Sequence, residues 1–289
     1  MTKPKLSFWQ IWNLSFGFLG VQIGYSLQNS NTSSIFESLG ADVSHLSYFW
    51  LAAPLAGMIV QPIVGLFSDG TWTRWGRRIP YILGGSLISA LALVLMPNCP
   101  KLLAFAPLAM GAFILLFMDL SFNVTMQPFR ALVADMLDDS QKTQGYVVQT
   151  FLINLGAVVG AILPLVMTWL GVSDEAAPGH VSPHIAYSYY AGGAILLLTV
   201  LVTSFKTREY PPGEFARYNN LSEEDAKPMS FVGLMRNVPG VMVRLGVTQF
   251  FSWAALFLMW TYLNPAITGV VTDHATGEVL SAGATQTWV

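Results

Sequence analysis

One carboxylate interrupts an otherwise apolar stretch of this chain: Asp119, within residues 102–125. A charge inside a membrane span costs roughly 2.5–3.5 kcal/mol on insertion scales, so such groups face a protein interior or water and mark function. A carboxyl group can also load and release a proton. Helical spacing sets Asn123, Gln127 and Arg130 on the same face, at steps of three or four. Read blandly, Asp119 pairs with another helix for assembly alone. Read chemically, it is a proton site whose neighbours can hydrogen-bond a hydroxyl. Similar groups collect elsewhere: Gln22, Ser26 and Asn29 share one face with Tyr25 and Gln28 beside them, and Thr150 and Asn154 stand four apart. Gln249, Trp253 and Trp260 fall along one stripe. Amides with aromatic faces suit a polyhydroxylated ring, but intramembrane amides also join helices, and aromatic stripes also pack or anchor at interfaces. Spacing alone does not choose between these uses.

The elements that must position these residues follow from charge. The chain has 289 residues, 53% hydrophobic and only 10% charged, against about 25% in an ordinary soluble domain. Mean hydropathy is +0.52 and net charge −2. Disorder, nucleic-acid binding and a disulfide scaffold are excluded by the low polarity, the absence of a basic excess and the single cysteine, Cys99. Charge-free windows cover 6–36, 43–68, 79–100, 143–173, 176–205 and 245–272. A helix needs about 20 apolar residues to cross the hydrocarbon core. With the stretch that Asp119 interrupts, seven spans are expected, near 8–30, 46–67, 80–98, 102–125, 146–170, 186–205 and 241–263. None alternates as a barrel strand does. The expected fold is an all-α membrane bundle.

Assigning loops alternately to the two sides puts 13 of the 14 Lys and Arg on the side of the N-terminus, with Lys101 alone opposite. The positive-inside rule makes that side cytoplasmic. The first span is too long for a signal-peptide core and is expected to remain as a helix. Six spans would form one half, residues 1–205. A charged cytoplasmic linker follows at 206–240, with Pro211-Pro212, the run Glu223-Glu224-Asp225 and a short helix capped by Ser222 with Asp225. Residues 241–289 would begin a second half. Leu19-Gly20-Val21-Gln22 recurs as Leu245-Gly246-Val247-Thr248-Gln249, as parallel halves would require. On this layout the chain is expected to be the first part of a longer, two-halved protein.

The loop after the second span reads Gly65-Leu-Phe-Ser-Asp69-Gly-Thr-Trp-Thr-Arg74-Trp-Gly76-Arg77-Arg78. Its plain reading is a positive-inside loop. Gly, Asp and Gly-Arg-Arg in this order also resemble the loop signature of the major facilitator superfamily, with extra residues as in its sucrose-transporter and glycoside–pentoside–hexuronide branches. In the fourth span, Asp119-Leu-Ser-Phe-Asn123-Val-Thr-Met-Gln127-Pro128-Phe-Arg130-Ala-Leu-Val-Ala-Asp135 resembles the sucrose-type proton–sugar symporters. So do Gln61-Pro62 and Gly20-Val21-Gln22 with Leu27-Gln28. The resemblance implies a major-facilitator helical bundle moving an α-glucoside disaccharide such as sucrose or maltose by alternating access. Asp119 would couple the proton. Gln22, Tyr25, Gln28, Asn29, Asp119, Asn123, Asn154 and Trp253 would meet the sugar, and Asp69, Arg77, Arg78, Arg130 and Asp135 would hold the inner gate. Expected partners are a sugar and the lipid bilayer of the cell membrane, not nucleic acid, with the full-length protein a monomer. The proton is the coupling ion and no other cofactor or metal is expected.

Other features have plainer readings. Gly20/Gly24 and Gly156/Gly160 are small-residue pairs that let helices close up. Pro54, Pro62, Pro107 and Pro164 can bend spans. His45, His180, His184 and His274 lie in expected outer loops without metal-ligand spacing. Asp135-Met-Leu-Asp138-Asp139 is similar to the aspartate-rich magnesium sites of membrane prenyltransferases, but those need a second such cluster, so an enzyme is not expected. A uniporter or exporter of another solute, or a non-transporting sugar sensor, would share the same bundle.

Overall fold

The computed structural model describes residues 3–40, 46–176, 179–219, 233 and 238–268. The chain divides into two units, Met1–Met229 and Ser230–Val289. The first unit contains α1 (Phe8–Ser38), α2 (Leu46–Gly70), α3 (Ile79–Leu95), a 3₁₀ turn (Met96–Asn98), α4 (Cys99–Leu102), α5 (Pro107–Met136), α6 (Lys142–Trp169), α7 (Pro183–Lys206) and α8 (Pro212–Tyr218). In the second unit α9 runs over Gly240–Thr268. Four segments, Ile79–Leu102, Pro107–Met136, Lys142–Trp169 and Pro183–Lys206, are long and apolar enough to cross a membrane by length and composition. The stretches of the remaining expected spans, 8–30, 46–67 and 241–263, lie on α1, α2 and α9. In α1, Gln22, Ser26, Gln28, Asn29 and Asn31 break up the apolar run.

Local chemistry fixes the helix ends. Ser7 and Gln10 open α1 with a reciprocal capping box, in which Gln10 accepts from the Ser7 N–H at 2.8 Å. Proline lies at the first or second position of α3, α5 and α7, where its missing N–H has no helical partner to lose. The fourth expected span shifts accordingly. Its helix starts at Pro107 rather than residue 102, because α4 and a turn intervene. It continues to Met136 through Arg130 and Asp135, since good helix formers carry the backbone on after the apolar run ends. The linker's expected cap at Ser222 and Asp225 lies outside the described residues, as do His45 and His274. The repeated Leu-Gly-Val segments both lie on helices, α1 and α9.

Within the first unit α1 packs against α6 and α7, α3 lies against α5 and α7, and α2 lies along α5. Phe18 of α1 stacks on Phe129 of α5 at 5.3 Å, among Leu14, Leu132, Leu196 and Val200, all buried. Small residues set the α1–α6 spacing: a methyl added at Gly160 would lie 2.5 Å from the Ile23 carbonyl oxygen and 2.8 Å from the Ser26 Cβ. Gly156 meets the Leu19 carbonyl in the same way, and Gly20 closes on Thr199 of α7. Ser26 then reaches across to donate to the Ala157 carbonyl at 2.7 Å. The opposite face of α6 turns Val147, Phe151, Val158 and Ile162 outward, as a lipid-facing helix does.

One contact from α7 reaches the main chain of α1. The Thr203 hydroxyl of α7 accepts from the Gly17 N–H at 2.7 Å and donates to the Asn13 carbonyl at 2.8 Å. Those two backbone groups are also each other's partners in an α-helical turn.

Candidate functional site

α5 brings its carboxylate to the middle of the first unit, where Asp119 is only 2% exposed. Gln28 of α1 donates from Nε2 to Asp119 Oδ1. Asp119 Oδ2 and Gln28 Oε1 are both buried and without a hydrogen-bond partner among the described residues. No Lys or Arg forms an ion pair with Asp119 there. One turn further along α5, Asn123 donates from Nδ2 to the Asp119 backbone carbonyl at 2.8 Å. Gln61 of α2 donates to Asn123 Oδ1 at 2.6 Å. Side-chain amides thus link α1, α2 and α5 around this position: Gln28 reaches the carboxylate, Asn123 the backbone carbonyl of Asp119, and Gln61 reaches Asn123. Tyr25 stands beside them on α1, its ring edge-on to Phe122 at 5.6 Å. Behind Gln28, the buried Tyr189 of α7 donates to the Leu27 carbonyl at 3.1 Å and meets the Thr32 hydroxyl at 3.3 Å. Burial falls along α5, from buried Asp119 through half-buried Asn123 and Gln127 to exposed Arg130.

The remaining ligand candidates are placed differently. Gln22 is half-buried at the α1–α6 approach, with its Cβ at 3.0 Å from a methyl built at Gly156. Asn29 is exposed and donates to the Tyr25 carbonyl at 2.9 Å, one turn back on its own helix. Asn154 is likewise exposed and donates to the Thr150 carbonyl at 2.8 Å. Trp253 is on α9, in the second unit.

A second constellation gathers at the basic end of the first unit. Arg78, 6% exposed, reaches Asp69 at 2.5 Å, Asp135 at 3.0 Å and Ser68 Oγ at 2.6 Å. Arg77 meets the same Asp135 oxygen at 2.7 Å and covers the Phe215 ring of α8 at 4.0 Å. Four of the five expected gate residues therefore form one network. Arg130 stands apart from it, because five residues turn a helix by about 500°, which places Arg130 and Asp135 on different faces. Asp138 turns back to accept from the Ser140 N–H and hydroxyl at 3.2 and 2.6 Å, and Asp139 pairs with Lys142 at 2.6 Å. These bonds engage Asp138 and Asp139 within their own turn, while Asp135 goes to Arg77 and Arg78.

Glu209 completes this end, and nothing in the sequence singles it out. Its carboxylate accepts from the Arg78 N–H at 2.8 and 3.0 Å and from the Ile79 N–H at 2.9 Å, capping α3 from the far side of α7. Gly76, at φ +115°, holds the turn that lets it approach; a methyl there would lie 2.5 Å from Glu209 Oε1. Burial pushes the Glu209 carboxyl above its ordinary range, while the Ile79 and Arg78 N–H groups pull it back. Gln61 has the signal that marked Gln22, an amide in an apolar run. Glu209 has only the look of a solvated charge in a polar linker.

Comparison with known proteins gives these two constellations a context. The chain is 27% identical over 267 residues to the sucrose transport protein SUT1 of Oryza sativa subsp. japonica, covering 83% of this chain and 49% of that protein. With the general alpha-glucoside permease of Schizosaccharomyces pombe it shares 25% identity over 283 residues, 91% of this chain and 48% of the permease. With the sucrose transport protein SUC4 of Arabidopsis thaliana the figures are 27% over 259 residues, 82% and 50%. The chain thus spans about half the length of these relatives. The model of the MFS/sugar transport protein family matches residues 35–274, a stretch that holds Asp119, Asn123 and the whole Asp69–Arg78–Asp135 network. On that match, with its helical bundle and membrane-length apolar helices, this integral, multi-pass membrane protein belongs to the MFS/sugar transport protein family.

Proposed function

We propose that this chain carries the proton- and sugar-binding part of a proton-coupled sugar symporter that takes up an α-glucoside disaccharide such as sucrose or maltose. The observation that supports it most is the setting of Asp119. The acid is buried, hydrogen-bonded by one amide and free of any cationic partner among the described residues. In a low-dielectric interior an uncompensated carboxylate is costly, and a bound proton removes the charge. The proton therefore binds the carboxylate on one side, crosses with the carboxyl neutral and leaves when the site meets water on the other. Gln28, Asn123 and Tyr25 surround it with groups that hydrogen-bond hydroxyls and cover a sugar ring. One proton crossing 100 mV is worth about 2.3 kcal/mol, which sustains about fiftyfold accumulation.

Asp69, Arg77, Arg78 and Asp135 hold the cytoplasmic end in one state of the cycle, and their separation accompanies opening. Arg130, exposed on another face of α5, is assigned to the same gate. The names of the relatives, sucrose transport proteins and an alpha-glucoside permease, support the substrate class. The test is uptake of labelled sucrose and maltose into proteoliposomes under an imposed inward proton gradient. Asp119→Asn should retain exchange of sugar across the membrane and lose gradient-driven accumulation. Full accumulation by the Asn variant would remove Asp119 from the coupling. Uptake by the wild type that ignores the gradient would make the protein a uniporter.

A further inference from the structure

The Gln61–Asn123 pair points to a contact that the candidate residues above do not include. Asn123 donates from Nδ2 to the Asp119 backbone carbonyl at 2.8 Å. That bond fixes which way its amide faces, since the flipped amide would set two carbonyl oxygens against each other. Asn123 Oδ1 is thereby turned to α2, where Gln61 Nε2 donates to it at 2.6 Å. The second amide is fixed in turn, because Gln61 must present its N–H. Each amide then keeps one N–H, and Gln61 keeps its Oε1 acceptor. Both residues are half-buried, whereas Asp119 next to them is buried.

Gly57 lies one turn before Gln61 on α2. A methyl there would meet Asn123 Oδ1 at 3.4 Å, Asn123 Nδ2 at 3.7 Å and Gln61 Nε2 at 3.7 Å. Those are ordinary contact distances, so alanine fits without displacing anything and its methyl covers the paired amides.

We infer that Gln61 and Asn123 form a subsite for one hydroxyl of the sugar, left uncovered by Gly57. The free Asn123 N–H donates to the hydroxyl oxygen and Gln61 Oε1 accepts the hydroxyl proton. Gln61 is then both a binding residue and the positioning residue for Asn123. A hydroxyl is held by donor and acceptor together, which a deoxy sugar or an alkyl group cannot satisfy.

This inference rests on the sugar-transport reading, so the experiment reads the two separately. Binding and uptake of sucrose, maltose and their singly deoxygenated analogues are measured with the full chain in proteoliposomes. In the wild type, one analogue of a bound sugar should show KM raised about tenfold, the weight of one hydrogen bond. In Gln61→Leu, parent and analogue should have KM values within about twofold of each other, with kcat for the parent little changed. In Gly57→Ala, KM should rise for the parent sugar while the thermal midpoint stays that of the wild type. An unchanged deoxy penalty in Gln61→Leu, or a loss confined to kcat, overturns the subsite and leaves the transport reading standing. A wild-type protein that neither binds nor moves either sugar overturns both. The melting temperature, measured on every variant, separates a lost contact from a lost fold.

Discussion

Glu209 has a charge whose effect on stability runs opposite to that of an ordinary surface carboxylate. Its proton is held more tightly in the folded chain than in the unfolded one, because burial outweighs the N–H bonds it receives. A carboxyl group raised in this way adds stability below its unfolded value and loses that contribution as pH rises through the folded one. Glu209→Gln removes the titration while keeping an acceptor for the Arg78 and Ile79 N–H groups. Thermal unfolding should therefore shift in favour of the wild type over Glu209→Gln at pH 5, relative to pH 8. Glu209→Ala leaves two helix-end N–H groups without their acceptor, which should cost about 1–3 kcal/mol at either pH. Arg78 offers a complementary case. Its fork meets two carboxylates and a hydroxyl at once, and Arg78→Lys keeps the charge without that geometry. A lower unfolding midpoint for the lysine variant would show that shape as well as charge holds this end together. Residues were legible in the sequence where the surroundings make them conspicuous. Asp119 is one charge in an apolar run, and Gln28 is an amide in another. Glu209 draws its meaning from backbone groups 130 and 131 positions away, which leave no mark in side-chain type.

At the scale of elements, the expected spans were readable because a membrane imposes a length on apolar runs, and every one falls on a long helix. Their ends were less so. Hydropathy places the fourth span five residues early and stops it short of the helix end, because it registers lipid contact, whereas proline position and backbone bonding set where α5 begins and how far it continues. Helix neighbours were legible only where small residues recur at four-residue steps. Gly156 and Gly160 do bring α6 onto α1, with the main chain of α1 as their direct neighbour. Gly160→Val should accordingly lower stability by about 1–3 kcal/mol, read as a reduced unfolding midpoint in detergent, since backbone cannot swing aside as a long side chain would. Gly84, beside which a methyl meets nothing within 4 Å, is the control, and Gly84→Ala should be tolerated. The resemblance to sugar symporters rested on motifs within α1, α2 and α5 and in the loop after α2, and those three helices supply the amides around Asp119.

For the whole molecule, the charge bias of the loops predicts which end faces the cytoplasm. Cys99 is the chain's one cysteine and is fully buried, so a membrane-impermeant maleimide should find no background. Arg74→Cys should label from the cytoplasmic face only and Ser173→Cys from the opposite face only, in vesicles of known orientation. Labelling of both from one side would overturn the assigned topology. The transport cycle proposed above requires helices that have packed together to part again. Where Thr203 reaches Gly17 and Asn13, two main-chain groups of α1 bond to its neighbour. Withdrawing the hydroxyl strands neither of them, because the N–H and carbonyl are partners within the helical turn. Thr203→Val should therefore cost no more than about 1 kcal/mol, far less than breaking two buried bonds with no replacement. The α1–α7 seam is in this respect a reversible fastening: undone, it leaves each helix whole, so sliding or rocking at this level carries no penalty of unpaired backbone.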